Sequence, residues 1–401
     1  MENSPRRHVN IATKGHEVRC GSGGVSWLRV VAALGISAIA TITSVSVAAA
    51  GPAPIAGAQG MKSGSFLARL KAVSNVASTV PSNGDINPYG IVNVPQTVGA
   101  LVQGDTLISN FNAASNLQGT GTTIVQISPE GQQSLFAQLG GPLPGKCPGG
   151  VGLTTALTIL RGGFVVVGSL PVTDAGSGTP KAGCLIVLNS VGAPVETWSG
   201  AKINGPWDMT AVQFQGFAEL FVTNVLNGTV KAGGGETNGG TVVRINVVDV
   251  PGHIPQMISS SVIGSGFAEQ LNSSALVLGP TGVSLSSDGT LYVADTIKNR
   301  VASIPNAWRR TTPVTHGGTT LTSGGALNSP LGMTLAPNGD IISVNGGDGN
   351  AIETSPLGQQ VTTVQLDPAG AGGDLFGLTI APDGRGVLFV DDGDNTLKLF
   401  H

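Results

Sequence analysis

Residues 279–295 read GPTGVSLSSDGTLYVAD and contain two short runs of strand-forming residues joined by a Ser-Asp-Gly turn. Valine, leucine, tyrosine and threonine favour pleated strands, and an Asp-Gly pair favours a tight turn between antiparallel strands. The first strand follows a Pro-Thr-Gly sequence at 280–282, which we call the P-x-G turn. The stretch therefore predicts a β-hairpin that starts at a P-x-G turn and ends at Asp295.

The same plan recurs along the chain. Residues 329–345 (SPLGMTLAPNGDIISVN) and 375–392 (LFGLTIAPDGRGVLFVDD) each place a second glycine seven residues after the first, as residues 279–295 do. Three looser copies occupy residues 87–110, 151–169 and 205–224. The second strands of the six copies end at Asn110, Ser169, Asn224, Asp295, Asn345 and Asp392, about 50 to 70 residues apart.

Further β-rich runs follow each hairpin, such as Thr123–Ile127 and Gln133–Ala137 in the first copy. Four antiparallel strands per repeat at this period are typical of a β-propeller blade. The sixth copy ends with a third strand, Asn395–Phe400, and we expect Val73–Val80 to supply its missing outer strand. The predicted fold class is therefore all-β: a six-bladed β-propeller of four-stranded antiparallel blades over residues 70–401, closed by an N-terminal strand that completes the last blade.

The composition of the 401-residue chain agrees with many short strands and tight turns, because it includes 61 glycines. Only 11% of the residues are charged, with 20 basic against 23 acidic side chains. A nucleic-acid partner would need clustered positive charge, so we expect none. A closed ring exposes only short strand edges, and we expect a monomer.

Residues 1–58 are predicted to be a signal peptide or an N-terminal membrane anchor. Basic residues precede an uncharged run from Val30 to Ala50, which ends in small residues typical of a signal-peptidase site. About 20 apolar residues also suffice to span a bilayer, so both alternatives stay open. We expect residues 59–69 to form a linker and the protein to be exported to the periplasm or the extracellular space. Membrane contact would then involve only the N-terminal segment.

The cysteine content agrees with export. Cys20 lies in the N-terminal segment, which leaves Cys147 and Cys184 as an even pair in the second repeat. In an oxidising compartment this pair predicts a disulfide. Two buried free thiols are the alternative, because the sequence does not give the distance between them.

The segment GPTGVSLSSDGTLYVADTIKNRV at 279–301 resembles the NHL repeat. The family pattern is a P-x-G turn, a strand, a D-G or N-G turn and a strand ending V-x-D. An Asn and an Arg-hydrophobic pair follow, which are here Asn299, Arg300 and Val301. The resemblance implies a six-bladed propeller. Relatives of this kind include binding modules, lactonase-type hydrolases and lyases, so the fold alone does not choose the function.

In lactonase-type relatives, an Asn, Asp or Glu just before the first glycine of a repeat coordinates a catalytic calcium ion. The equivalent residues here are Tyr89, Val151, Pro206 or Trp207, Thr281, Leu331 and Phe376. Calcium is thus the one cofactor that the resemblance brings in, but these side chains lack the carboxylates that it needs. We expect no cofactor, no metal ligand and no catalytic residue of that type.

Three aromatic residues, Tyr89, Trp207 and Phe376, fall at or beside equivalent P-x-G positions, although only 4% of the chain is aromatic. They predict either apolar packing of the channel mouth or an aromatic entrance that binds a flat or apolar ligand. The polar rim of such an entrance would consist of Asn110, Asn224, Asp295, Asn345 and Asp392. These short side chains have an alternative structural role, which is to bond with the backbone of the neighbouring turns.

The sequence favours an exported binding or interaction module that uses its P-x-G face and channel mouth. Its ligand would be a small molecule, a glycan or a protein. The alternative is a hydrolase or lyase, lactonase-like or streptogramin-lyase-like, with a divergent site in the central channel. Asp208, Asp295 and Asp392 are the first carboxylates to test for that activity. A structural component of the cell envelope is a third hypothesis.

Overall fold

The computed structural model describes residues 64–170, 182–200, 202–272, 275–369 and 374–401. In these ranges the chain forms 25 strands and one turn of 3₁₀ helix, Leu67–Arg69. No helix among the described residues is long and apolar enough to cross a membrane. The predicted signal peptide or anchor, residues 1–58, lies outside the described residues.

The strands form six antiparallel sheets, which are the blades. The first strand in the described ranges is β1 (Val73–Ser78). Blade 1 contains β2 (Ile86–Asn93), β3 (Thr106–Asn112), β4 (Thr123–Ile127) and β5 (Gln133–Gln138). Blade 2 contains β6 (Leu157–Ile159), β7 (Val165–Ser169), β8 (Cys184–Leu188) and β9 (Pro194–Trp198). Blade 3 contains β10 (Pro206–Phe214), β11 (Gly216–Asn224), β12 (Thr237–Asp249), β13 (Gln256–Asn272) and β14 (Leu276–Leu278).

The remaining three blades follow in chain order. Blade 4 contains β15 (Pro280–Leu285), β16 (Leu291–Asp295), β17 (Arg300–Ile304) and β18 (Thr319–Ser323). Blade 5 contains β19 (Pro330–Leu335), β20 (Ile341–Asn345), β21 (Asn350–Thr354) and β22 (Gln360–Gln365). Blade 6 contains β23 (Leu375–Ile380), β24 (Val387–Asp391) and β25 (Thr396–Phe400), and its outer strand is β1.

The first strand of each blade lies innermost. Each of these inner strands contacts the inner strand of the next blade, and β23 contacts β2, which closes the ring. The predicted all-β, six-bladed propeller is confirmed. One blade differs from the expected four strands: the 17-residue β13 extends past β12, and its end pairs with a fifth strand, β14.

Burial follows the position of a strand in its blade. The second strands β16 and β20, with the sequences LYVAD and IISVN, are buried along their whole length because neighbouring blades cover both faces. The outer strand β22, QVTTVQ, alternates between partly buried and exposed residues, as expected for a strand with one solvated face. The core therefore consists of apolar layers between adjacent blades and of a central cluster in the channel.

Closure of the ring follows the prediction. Strand β1 pairs antiparallel with β25, from Val73 opposite Phe400 to Ser78 opposite Thr396. The backbone N–H groups of Lys71 and Ala72 also donate to the carbonyl oxygen of His401. Strand β1 thus completes the blade that ends with β25.

Residues 64–69, which the sequence analysis assigned to a linker, pack on blade 5. The Glu353 carboxylate accepts hydrogen bonds from the backbone N–H groups of Phe66 and Leu67, each at 2.7 Å, and from the Ser65 hydroxyl. Phe66 and Leu67 are buried between blades 5 and 6. Burial raises the pKa of Glu353, but these hydrogen bonds outweigh it and hold the pKa below its usual value. The chain is therefore fixed to the ring before β1 begins.

Cys147 and Cys184 form a disulfide with a Cα–Cα distance of 5.2 Å. This confirms the predicted pairing and excludes the two free thiols. The bond joins the start of β8 to the segment that precedes β6. Disulfides are typical of proteins outside the reducing cytoplasm.

Reduction of this disulfide is expected to lower the free energy of unfolding by about 2–4 kcal/mol, because the unfolded chain then regains the freedom of a loop between residues 37 apart. Guanidinium unfolding with and without dithiothreitol measures the change. A Cys147→Ser, Cys184→Ser double variant is the control and should match the reduced wild type. Equal unfolding midpoints for the oxidised, reduced and double-variant proteins would contradict the prediction.

Candidate functional site

The inner strands all start at the P-x-G end of the channel and run towards its other end. In blades 3 to 6 the residue that starts the inner strand lies opposite the residue that ends the second strand of the same blade; these starting residues are Pro206, Pro280, Pro330 and Leu375. In blade 1, β2 and β3 extend two residues further, and Pro88 lies opposite Asn110 within them. Four inner strands carry a glycine at the same place, and blades 2 and 3 carry Ala156 and Asp208 there. We call the residue just before this glycine, or before its equivalent, the plug position. The six plug positions are Tyr89, Thr155, Trp207, Thr281, Leu331 and Phe376.

The plug position of blade 2 differs from the sequence prediction. A Cβ built on Gly332 of blade 5 would overlap the carbonyl oxygen of Phe376, the plug residue of the next blade. In the same way, a Cβ built on Gly90 of blade 1 would lie 2.5 Å from the carbonyl oxygen of Thr155 in blade 2. Thr155 therefore occupies the position that the repeat alignment gave to Val151. The reason is that β6 has only three residues and starts at Leu157, later than the other inner strands do within their repeats.

The predicted aromatic residues meet in the channel. The ring centroids of Tyr89 and Trp207 are 5.7 Å apart, those of Tyr89 and Phe376 are 5.1 Å apart, and Phe111 contacts both Tyr89 and Phe376. Trp207 Nε1 donates a hydrogen bond to Tyr89 Oη at 2.6 Å. The exposed fractions of Tyr89, Trp207 and Phe376 are 1%, 2% and 5%. These four residues, which we call the aromatic plug, separate a cavity on the P-x-G side from a cavity on the far side.

Four residues of the predicted polar rim are fully buried: Asn110, Asn224, Asp295 and Asn345. Each makes at least one hydrogen bond to another group of the protein. Asn110 Nδ2 donates to the carbonyl oxygen of Thr79 at 2.9 Å, and Asp295 accepts from Arg300 Nε at 2.8 Å. These contacts favour the structural role over direct ligand contact. Their role in ligand binding stays a prediction.

The fifth rim residue, Asp392, lies one position beyond the end of its strand. Strand β24 ends at Asp391, which pairs with Leu375, so Asp391 rather than Asp392 is the counterpart of Asp295. Asp392 accepts a hydrogen bond from Asn87 Nδ2 at 2.9 Å, and burial raises the pKa of Asp392 to about 7. Asp392 and Phe376 line the P-x-G-side cavity of about 250 Å³.

The far-side cavity, which we call the channel cavity, measures about 300 Å³ and is lined by residues of all six inner strands. Two residues beyond the inner-strand glycine position, five of the six blades place a hydroxyl side chain on its wall. This hydroxyl ring consists of Thr158, Thr210, Ser284, Thr334 and Thr379. Blade 1 has Val92 at that position and Asn93 next to it, and Asn93 Nδ2 donates to the carbonyl oxygen of Ile380 at 2.7 Å.

Asp208 occupies the inner-strand glycine position of blade 3. Four blades have glycine there, and blade 2 has Ala156. The Asp208 carboxylate accepts hydrogen bonds from the backbone N–H groups of Met209, at 2.8 Å, and Val283, at 3.3 Å. Desolvation raises the pKa of Asp208 to about 7, against the opposing effect of these two hydrogen bonds. The channel cavity thus contains a carboxyl group that is poised between its two protonation states at neutral pH.

Sequence reasoning named Asp208 only as a carboxylate to test and missed the hydroxyl ring. The signal was present in five of the repeats as three consecutive residues of the inner strand: an apolar residue, a Ser or Thr, and another apolar residue. The five triplets are LTI (157–159), MTA (209–211), VSL (283–285), MTL (333–335) and LTI (378–380). Threonine and serine in these triplets read as ordinary strand residues until the strands are known to converge on one channel.

The residues of the channel do not fit a calcium site of the lactonase type. Calcium takes six to eight oxygen ligands, whereas the plug positions hold aromatic, leucine and threonine side chains, and Asp208 is the one carboxylate on the wall of the channel cavity in the described part of the chain. Within the described ranges, no group of three or more His, Cys, Asp or Glu residues could hold a metal ion.

Several solved structures share this fold. A protein assigned as a gluconolactonase is 17% identical over 82% of this chain and 91% of that chain, with a TM-score of 0.50. A luciferin-regenerating enzyme is 14% identical over 82% of this chain and 94% of that chain, also with a TM-score of 0.50. A streptogramin B lyase is 14% identical over 82% and 97% of the two chains, with a TM-score of 0.49.

The likeness to the first two of these structures agrees with the propeller fold. No protein-family model matches the sequence of the chain. No curated protein matches it either. At identities of 14–17%, the similarity to solved propellers carries no residue role from those enzymes to this chain.

Proposed function

We propose that this protein is an exported binding protein that takes a small polar molecule into the channel cavity. The observation that carries the proposal is the convergence of the hydroxyl ring and Asp208 on one partly enclosed space of about 300 Å³. Small-molecule sites are concave and combine apolar walls with a few convergent polar groups. The hydroxyl ring can donate and accept hydrogen bonds on five sides of a bound molecule.

The proposed site lies on the far side of the aromatic plug, whereas the sequence analysis expected ligand contact at the P-x-G face. The far side is favoured because Tyr89 and Trp207 are buried against each other and bonded to each other, and so offer little surface to a ligand. Export is supported by the Cys147–Cys184 disulfide. An NHL-like origin of the repeats is supported by the ion pair between Asp295 and Arg300, two residues of the repeat pattern.

A hydrolase or lyase is the second candidate function, and one observation favours it. A general acid or base works best when its pKa lies near the operating pH, and desolvation raises the pKa of Asp208 to about 7 inside the channel cavity. In this alternative, Asp208 would accept a proton from an attacking water molecule or donate one to a leaving group. Turnover of a bound compound by the wild type, lost in Asp208→Asn, would favour it over simple binding.

The binding function predicts that filling the channel cavity removes ligand binding. Thr334→Phe places a ring in the cavity and should abolish the thermal stabilisation that small polar compounds give the wild type in a library screen. The matched control is Thr319→Phe, because Thr319 is an exposed residue of the outer strand β18. Compounds that stabilise Thr334→Phe as well as the wild type would contradict the proposal, and so would a library with no binder.

A further inference from the structure

We propose that the channel cavity recognises a small protonated amine that also carries hydroxyl groups, with Asp208 as the counter-ion of the ammonium group and the hydroxyl ring as the partner of the ligand hydroxyls. This inference rests on the proposed binding function and names its ligand class. Amino alcohols and amino sugars have the required chemistry.

The wall of the channel cavity carries one carboxyl group and no balancing cation. Among the described residues that line it, Asp208 is the only acidic side chain, and none is Lys, Arg or His. A carboxylate held away from water is costly unless it is paired with a positive charge. Since the wall supplies no such charge, a ligand ammonium group is the partner that compensates the ionised form of Asp208.

The contacts of Asp208 leave room for such a partner. An ionised carboxylate offers about four acceptor sites, and the backbone N–H groups of Met209 and Val283 use two of them. These two hydrogen bonds hold the carboxyl group against β10 and β15. The side chain is partly exposed, while its neighbours Trp207 and Met209 are buried. Its accessible part lies on the wall of the channel cavity.

The hydroxyl ring explains why the amine should also carry hydroxyl groups. Thr158, Thr210, Ser284, Thr334 and Thr379 come from five different blades and surround the same space as Asp208. A purely apolar amine would leave several of these groups without the hydrogen bonds that they make to water. A ligand with an ammonium group at one end and hydroxyl groups along its length satisfies both parts of the wall.

The inference predicts a specific pH dependence. Burial raises the pKa of Asp208 to about 7, and a cationic ligand binds the ionised form, so the affinity should rise as the pH passes through 7 and then level off. The other titratable group on the wall is Tyr89 of β2, and burial keeps its pKa well above its usual value, so it stays neutral over this range. No other inner strand contributes a titratable side chain to the wall.

The test compares glucamine with sorbitol, because these molecules differ only by an ammonium group in place of one hydroxyl. Isothermal titration at pH 8 should show that glucamine binds at least about tenfold more tightly than sorbitol, the range of a charge-assisted contact. Its affinity should fall between pH 8 and pH 5 towards that of sorbitol, by about tenfold or more and at most about 100-fold, as Asp208 takes up a proton. Near pH 7, titration in buffers of different ionisation enthalpy should show proton release on binding.

Asp208→Asn should bind glucamine no better than sorbitol and lose the pH dependence. Asp383→Asn is the matched control, since Asp383 is an exposed turn residue outside the cavity, and should behave as the wild type does. If Asp208→Asn fails to fold, the pH dependence and proton release of the wild type still test whether Asp208 pairs with the ammonium group.

Equal binding of both probes at pH 8, lost in Thr334→Phe, would overturn the amine inference and leave the binding function standing. Absence of binding by both probes and by the whole library would overturn both.

Discussion

Deletion of residues 70–82 is expected to yield insoluble protein or to lower the free energy of unfolding by about 5 kcal/mol or more. The deletion removes β1, which pairs with β25 along its length, and exposes the edge of β25 to other chains. It also removes the apolar contacts that Val76 and Ala77 make with the central cluster, and so exposes part of that cluster to water. Soluble yield and guanidinium unfolding of the purified chain measure the effect.

Two point variants within β1 provide the control for this deletion. Val76 packs against the central cluster, whereas Val73 is 40% exposed. Val76→Asp should therefore destabilise the protein strongly and Val73→Asp only slightly, although both change the same residue type in the same strand. A deletion variant as soluble and as heat-resistant as the intact chain would show that the ring does not depend on its N-terminal strand.

Gly377→Ala is expected to cost about 2–4 kcal/mol of stability, because the new methyl group has no room between blades 6 and 1. A Cβ at Gly377 would overlap the carbonyl oxygen of Tyr89 and lie 2.8 Å from the side chain of Ile91. Since the oxygen belongs to the backbone of the neighbouring inner strand, a side-chain rotation cannot relieve the overlap. Denaturant unfolding monitored by tryptophan fluorescence measures the loss.

Gly141→Ala is the matched control, because a Cβ at Gly141 meets no atom within 4 Å. Its unfolding midpoint should stay at the wild-type value. The equivalent position carries a side chain in blades 2 and 3, where Ala156 and Asp208 occupy it. A Gly377→Ala protein as stable as Gly141→Ala would mean that the two inner strands separate easily.

The architecture was predictable because its signals are local. Turn residues mark each hairpin, and the spacing of hairpins marks each blade, so residues 279–295 sufficed as a template for the ring. The missing fourth strand after Phe400 predicted the role of β1 without any knowledge of tertiary contacts. The errors arose where the template is weak. Val151 was aligned instead of Thr155 because β6 is short, and Asp392 instead of Asp391 because two aspartates stand side by side.

The candidate site was less predictable because it depends on distances between blades. The sequence predicted that Tyr89, Trp207 and Phe376 share one level of the channel, and they do, but their burial depends on the channel width there. The raised pKa of Asp208 likewise depends on the protein around it rather than on its neighbours in the chain. An alignment of the repeats shows which residues are equivalent. Which of these residues are in contact depends on the geometry of the closed ring.

The pairing of β1 with β25 also has a kinetic consequence. Val73 and Phe400 stand at opposite ends of the described chain, and a contact between residues so distant in sequence forms slowly because the loop between them must be closed first. During synthesis β1 emerges long before β25, so the sixth blade can assemble only after β25 has left the ribosome. The proposed export would benefit from this delay, because a ring that closed before translocation would be hard to pass through a membrane.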